Sequence, residues 1–473
     1  MFRMWVFLAA LPLLAQVPEA KRALLLKSMD DTALKWGGVS RKIWEFAELG
    51  YHETKSSALL QQELRNAGFR VTAGVAGAPT AFVAEWGAGK PVIGLMGEFD
   101  ALPGLSQDTV PERKPLAEGG AGHGCGHNLF GAAVAFAAVE ARKYMEANGL
   151  KGTLRFYGTP AEEGGAGKVY MLRAGVFEGT DAVLTWHPGD ANRVALGSTL
   201  ANITAKIRFT GLAAHAASAP WAGRSALDGL MLMNHAFDML REHVPQETRL
   251  HYIVTKGGAA PNIVPDLAEG YFYARHPEMP VLDAIWERIE KAAEGSALAT
   301  GTSVKVNLLS SVWNELPNDV LAALALKNMK LVGGVRYTPE ERAFAEALRR
   351  TFAGPLPPLE SAGRVTDDVR PSTGSTDVGD VSWTLPTLDF NAATYVPGTP
   401  GHSWQSTACS GMSIGRKGMV VAAKTLALTA LDLVTDPKQV ELARAAFEKR
   451  RGGVVYRSRI PEGAKPPLNY RSE

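Results

Sequence analysis

The chain has 473 residues, 46% of them hydrophobic and 21% charged. That composition belongs to a soluble globular protein too long for one ordinary domain, and two domains are expected. The net charge of +2, with Lys and Arg scattered rather than clustered, supplies no electrostatic footprint for nucleic acid.

At the N-terminus, Arg3 precedes an apolar run from Trp5 to Ala15, followed by Gln16 and Pro18. The run is too short for a bilayer, which needs about 20 apolar residues. Its positive start, apolar middle and small-residue exit near Ala15 make residues 1–18 a signal peptide, so export to a periplasm or medium is expected. The other reading is a retained helix and a cytoplasmic protein. No Cys follows the run, so a lipid anchor is not indicated.

Residues 20–68 carry helical periodicity, with Gly68 as a stop. TAFVAEWG and PVIGLMGEFDALPG then read as strands and residues 127–148 as an Ala-rich helix. The strand TLRFYGTP, the helix KVYMLRAGVF and the strand DAVLTWHP follow. Strands alternating with helices predict an α/β unit with a mostly parallel sheet. Three of these strands run into chemically capable residues: VIGLM into Glu98 and Asp100, LRFYGTP into Glu162 and Glu163, AVLTW into His187. In open α/β sheets the ligand site lies beyond the carboxyl ends of the strands, so the pattern gathers these residues.

From about residue 199 the texture changes. ANITAKIRFTG alternates, ALDGLMLMNHAFDMLREH is amphipathic, LHYIVTKGG and EGYFYARHP are strands, and a helix over 281–293 precedes SVKVNLLSSV. This β-α-β-β-α-β order predicts a smaller four-stranded α+β domain over 199–312, inserted between the two parts (19–198 and 313–473) of the larger one. The return linker is 313–317. A helical stretch, a Gly/Pro/Asp-rich segment (353–380), the strand LPTLDFN, the loop TYVPGTPGHSWQS and a helix over 418–434 follow. The basic tail RGGVVYRSRIPEGAKPPLNYRSE reads as a solvated extension.

Chemistry concentrates in GHGCGHN, which sets His123, Cys125 and His127 at alternate positions of a glycine-laced loop. Alternate residues of an extended backbone point the same way, and a thiol with imidazoles makes a soft transition-metal site. An exported chain could pair Cys125 with Cys409, but the flanking histidines favour Cys125 as a ligand. Cys409, in TACSGMS, reads as a small buried residue. The adjacent Glu162 and Glu163 point in different directions, so one can hold a metal while the other moves a proton. An isolated Glu–Glu pair would be a solvated turn, and the flanking strand and other ligands favour the chemical reading. His187 taken alone reads more often as a satisfied core or loop histidine, and His402, in a turn-rich loop, shares that ambiguity. Together Cys125, His127, Glu163, His187 and His402 are too many for one tetrahedral site and suit two metals.

GEFDALPGLSQ, GHGCGHN, PAEEGGAGK, TWHPG, GLAAHAASAPWAGRSALDG, GGAAPNIVPD, GSTDVGDVSW and GHSWQ occur in this order between about residue 20 and the last helix. In them the chain resembles the two-metal amidohydrolase and exopeptidase family of aminoacylases, carboxypeptidase G and the plant indole-acetyl-amino-acid hydrolases. Within that family it most resembles the aminobenzoyl-glutamate utilisation protein B group. The resemblance implies a zinc-peptidase-like catalytic domain with a ferredoxin-like lid that also mediates dimerisation. It implies two divalent ions, zinc or manganese, held by Cys125, His127, Glu163, His187 and His402, with Asp100 supporting the metal site from behind. Glu162 takes the place of the general base that activates a metal-bound water. His215 takes that of a lid histidine that stabilises the oxyanion in a partner's site, and Asn262 and Arg275 those of substrate-contacting lid residues. Many relatives have Asp where this chain has Glu98, some have a metal-binding His there, and many have Asp at Asn128. His123 is not a ligand in the family pattern.

The implied activity is hydrolysis of the amide bond of N-acyl or N-aroyl amino acids, with a substrate bearing a carboxylate. The implied assembly is a homodimer through the lid, or a heteromer with a related chain. A dipeptidase using the same metals is the neighbouring reading. A non-catalytic ligand-binding partner chain is disfavoured by the intact Glu162 and ligand set. A cysteine hydrolase built on Cys125 and His127 lacks the nucleophile–base spacing and an oxyanion motif.

Overall fold

Helices α1 (Glu19–Phe46) and α2 (Thr54–Asn66) open the described chain, and α2 stops where Gly68 takes a φ of 81°. The structure is a computed structural model that describes residues 18–194, 197–367 and 373–471, so the expected signal peptide lies, but for Pro18, outside the described residues. Next come β1 (Arg70–Ala73), β2 (Phe82–Ala88), β3 (Val92–Glu98), α3 (His127–Ala147), β4 (Gly152–Thr159) and α4 (Gly167–Arg173). Three short strands, β5 (Ala182–Leu184), β6 (His187–Gly189) and β7 (Asn192–Arg193), close this first part.

The smaller unit follows as β8 (Ala201–Thr210), α5 (Ala226–Leu240), β9 (Arg249–Lys256), β10 (Leu267–His276), α6 (Met279–Thr300) and β11 (Ser303–Val312). The chain then returns through α7 (Asp319–Val332), α8 (Pro339–Arg349), β12 (Val365–Thr366), α9 (Val378–Ser382), β13 (Thr387–Leu388) and β14 (Asn391–Ala393). Helices α10 (Trp404–Gly411), α11 (Ser413–Thr435) and α12 (Pro437–Arg451) end the regular structure.

The main sheet runs β1-β2-β4-β3-β5-β13. Its β4-β3-β5-β13 half is parallel, as expected, and this half carries the site. β1, β2 and β4 pair antiparallel. A parallel connection needs a crossover of about a dozen residues or more, and the loops joining β1 to β2 and β2 to β3 are too short to supply one. β3 is buried at every residue because helices cover both faces of the sheet. α3 packs against β3, α1 and α11, which is why its alanines and apolar residues surround it almost completely. α11 is long and apolar enough to cross a membrane by length and composition, but most of it is buried in this core. A small second sheet, β12-β7-β14-β6, presents His187 at the start of β6.

The smaller unit is a four-stranded antiparallel sheet in the order β11-β8-β10-β9. Period-2 alternation decides its faces. Ala201, Ile203, Ala205, Ile207 and Phe209 of β8 turn inward onto Leu230 and Phe237 of α5 and Leu282 and Trp286 of α6. On β10 the inward residues are Phe272 and Ala274, which leaves Tyr271, Tyr273 and Arg275 on the opposite face.

The tail departs from expectation. Residues 452–471 are not a solvated extension but pack back over the molecule. Trp313 Nε1 donates to the Arg457 carbonyl at 3.0 Å, Tyr456 Oη donates to Asp380 Oδ1 at 2.8 Å, and Ile460 is buried beside Val169 and Val312. Its apolar residues fill separate pockets and follow no helical or strand period, so periodicity could not reveal them.

Candidate active site

Each candidate side chain sits where a regular element begins or ends. Asp100 follows β3, Glu162 and Glu163 follow β4, His187 begins β6, and His127 is the first residue of α3. The glycines of GHGCGHN have steric reasons. A Cβ at Gly122 would lie 2.0 Å from the Leu105 carbonyl oxygen, and Gly126 takes a φ of 74° against Tyr395 and Pro188. Two non-glycine residues also adopt left-handed backbone at the site, His402 at φ 51° and Ala161, just before Glu162, at φ 57°. Such conformations cost on the order of 1–3 kcal/mol each and persist only where the surroundings hold them. Here Glu53, buried beneath the turn, accepts from the Ala161 N–H at 2.8 Å and from Thr80 Oγ1 at 2.7 Å.

The expected ligands converge. Cys125, His127 and His187 present donor atoms within 4.8 Å of one another, and so do Cys125, Glu163 and His402. The two groups share the Cys125 sulfur. Its Sγ lies 3.4 Å from His187 Nε2, and His402 Nε2 lies 3.7 Å from Glu163 Oε2. Asp100 stands behind both groups: its Oδ1 is 2.8 Å from His127 Nδ1 and its Oδ2 accepts from the Glu163 N–H at 3.0 Å. That contact turns His127 Nε2 toward the cluster, as an outer carboxylate does for a metal-binding histidine. Glu163 Oε1 is buried and makes no hydrogen bond, and the buried His127 Nε2 meets carboxylate and thiol groups of the cluster, Glu98 Oε2 at 3.0 Å among them. Buried polar atoms are rarely left so, and a thiol, imidazoles and a carboxylate around them fit a borderline-soft divalent cation.

The electrostatics agree. Burial, reinforced by Glu98 and Glu163, pushes the Glu162 carboxyl well above its usual range, and burial with Glu163 does the same to the Cys125 thiol. Burial and His127 push His187 down to about 4. For His127 burial acts against the charged ring, but Cys125, Glu98 and Asp100 outweigh it and raise it. A cluster this rich in anionic donors holds protons that a cation would displace.

Glu98 forms a third group with His127 and Glu162. Its Oε2 lies 3.0 Å from His127 Nε2, while its Oε1 is 2.7 Å from the fully buried Lys168, whose Nζ also meets Asp377 Oδ1 at 2.6 Å. Lys168 and Asp377 were not singled out from sequence. Lys168 closes PAEEGGAGK and Asp377 lies in GSTDVGDVSW, but lysine reads as surface until its partners are seen. His123 joins no group; its Nε2 lies 3.0 Å from the Ile43 carbonyl. Cys125 and Cys409 are both free, so no disulfide joins them.

The lid candidates stand apart from these groups. His215 is exposed on a lid loop, where its Nδ1 accepts from the Ala217 and Ser218 N–H groups at 3.2 Å each. Asn262 is its neighbour, accepting from the Ala216 N–H at 3.0 Å. Arg275 lies on the outward face of β10, 5.5 Å from the Tyr273 ring centroid, and its Nε makes no hydrogen bond.

Comparison with known proteins accords with this geometry. The family model described as peptidase family M20/M25/M40 matches residues 94–449. The chain is 38% identical over 460 residues to the B subunit of p-aminobenzoyl-glutamate hydrolase of Escherichia coli (strain K12), covering 91% of this chain and 96% of that one. It is 31% identical over 436 residues to Xaa-Arg dipeptidase of Mus musculus, covering 89% and 90%. Among solved structures, a dinuclear metal binding peptidase of the M20 family from Bacillus subtilis superposes with a TM-score of 0.57 at 19% identity, covering 89% of this chain and all of that one.

Proposed function

The chain belongs to peptidase family M20/M25/M40, and on that footing we propose that it hydrolyses the amide bond of N-acyl or N-aroyl amino acids of the aminobenzoyl-glutamate type. The observation that carries this reading is the pair of donor groups sharing Cys125, with Glu162 half-buried beside them. Cys125, His127 and His187 would hold one divalent ion and Cys125, Glu163 and His402 the other. The donors suit zinc or manganese. Bound there, the ions supply Lewis acidity that polarises the scissile carbonyl and acidifies water.

The chain's own residues do the rest. Glu162 takes the proton of the attacking water and passes it to the leaving amine, a role favoured by its place beside His127 and Glu98 at the edge of the donor groups. His215 donates to the developing oxyanion. With Nδ1 accepting two backbone N–H groups, the neutral ring carries its proton on Nε2, the nitrogen free to reach outward. Asn262 and Arg275 contact the substrate, the guanidinium suiting a carboxylate.

His215 serves the site of a second copy. Its loop is surrounded by exposed Leu212, Ile263 and Trp221, the last 77% exposed, and the free edge strand β9 exposes Ile253 and Val254. Such an apolar edge supports a lid-mediated dimer. The Escherichia coli relative is named as one of the subunits of its hydrolase, which makes a heteromer with a related chain the alternative. Residues 1–18 direct export and are removed, which N-terminal sequencing of the mature protein tests.

The likeness to a dipeptidase keeps short peptides as a second substrate class. Metal analysis of the purified protein, joined to a panel of N-acyl amino acids and dipeptides with and without chelator, tests the reading. About two divalent ions per chain are expected, with N-aroyl-glutamate cleaved best and activity lost on chelation and restored by metal. Metal-free protein with chelator-insensitive activity would overturn it.

A further inference from the structure

The tail enters the site just described. Beyond α12 it runs along the junction of the two units, where Arg459 pairs with Asp283 of α6 and the Pro461 carbonyl accepts from Arg173 at 2.7 Å. It then packs Leu468 and Tyr470 against the cluster around Tyr51 and Ala161. Tyr470 stands edge-on to Tyr51, with ring centroids 6.1 Å apart. It fits closely over Gly50 and Gly164, where an added Cβ would come within 2.6 Å and 3.3 Å of its atoms. At the end of the path the Arg471 guanidinium donates to the main-chain carbonyl of Glu163, with Tyr470 Oη 3.5 Å from the same oxygen.

We propose that residues 452–471 form a strap that is part of the active-site wall, and that Arg471 determines specificity by receiving the carboxylate of the substrate's amino-acid part. The inference rests on the hydrolase reading above. Its grounds are placement and unused capacity. Arg471 sits on the backbone of a candidate metal ligand, remains exposed, and pairs with no carboxylate side chain among the described residues. A guanidinium offers five donors in a planar fork that matches a carboxylate, and the bond to the Glu163 carbonyl occupies one of them. From the lid, Tyr271 of β10 lies within the electrostatic reach of Arg471, and Tyr271 and Tyr273 join hydroxyls at 3.0 Å. A substrate anion arriving beside Glu162, Glu163 and Asp100 needs a fixed cation on its far side, and the strap supplies one.

The test compares Arg471→Ala, Arg471→Lys and wild type, each loaded with metal. N-benzoylglutamate serves as substrate, and the corresponding diamide, which lacks both carboxylates, as competitive inhibitor. The proposal expects Arg471→Ala to raise KM for N-benzoylglutamate by about tenfold to a hundredfold, the range of a charge-assisted hydrogen bond. It expects kcat within about threefold of wild type, an unchanged Ki for the diamide, and partial recovery in Arg471→Lys, since a uniform binding contact acts on KM. An unchanged KM, or equal weakening of both probes, overturns the strap inference while an active wild type leaves the hydrolase reading standing. A metal-loaded wild type that cleaves none of the N-acyl panel overturns the hydrolase reading and this inference with it.

Discussion

The metal cleft and the lid assemble function in opposite ways. In the cleft four of the chemically capable positions are seated by buried partners: His127 by Asp100, Glu163 by Asp100, the Glu162 turn by Glu53, and Glu98 by Lys168. On the lid, His215 is held only by its own loop, amid exposed apolar side chains. Buried polar networks fix geometry before substrate arrives. An exposed histidine on an apolar rim has no such support, and in the proposed mechanism a second copy would supply it. The cleft is thus preorganised, whereas the proposed contribution of the lid depends on docking.

The largest effect should come from the cleft. Glu162→Gln should lower kcat by roughly a thousandfold or more while the metal content stays at the wild-type value. Loss of metal together with activity would make Glu162 a ligand instead. Removing a shared donor should then differ from removing an unshared one. Cys125→Ala should empty both metal positions, whereas His402→Ala should leave the ion held by Cys125, His127 and His187, as metal counting of the two variants would show.

The lid's part is read by complementation. His215→Ala should lose roughly a hundredfold to a thousandfold in kcat with its metals retained, the scale of one lost oxyanion donor. Mixed with the Glu162→Gln chain and allowed to exchange protomers, it should regain up to roughly a quarter of wild-type activity, because half the dimers would carry one intact composite site. If the mixture stays as inactive as its parts, His215 does not work across a dimer.

The smallest effect is on stability. Burial holds His123 at about 3 in the fold, against an unfolded value near 6.5, so its contribution is fully present above that unfolded value. It is lost as pH falls toward 3, because only the unfolded chain takes up the proton. Between pH 7 and 5 this should cost about 2 kcal/mol. Thermal melts of the metal-stripped protein should show that loss, with a flatter slope in His123→Asn.

The β-α-β-β-α-β order of the lid could be read directly because Ala201, Ile203, Ala205, Ile207 and Phe209 alternate without a break. The cleft could be read where strand ends met ligand types, at Glu162, Glu163 and His187. Short edge connections, which make β1 and β2 antiparallel, carry no comparable signal. The helix expected over 281–293 extends over Met279–Thr300, because Gly301, in left-handed backbone, and not the loss of periodicity, ends it.

The sequence by itself determined which residue types the chain can bring to a metal and in what order, together with the two-unit architecture that carries them. Periodicity and ligand chemistry are local properties. Only the tertiary structure decided that Cys125 is shared between two donor groups, that Lys168 is buried between Glu98 and Asp377, and that the tail returns to Glu163. Each of these depends on contacts between residues far apart in the chain, made through burial and charge pairing that no local pattern encodes.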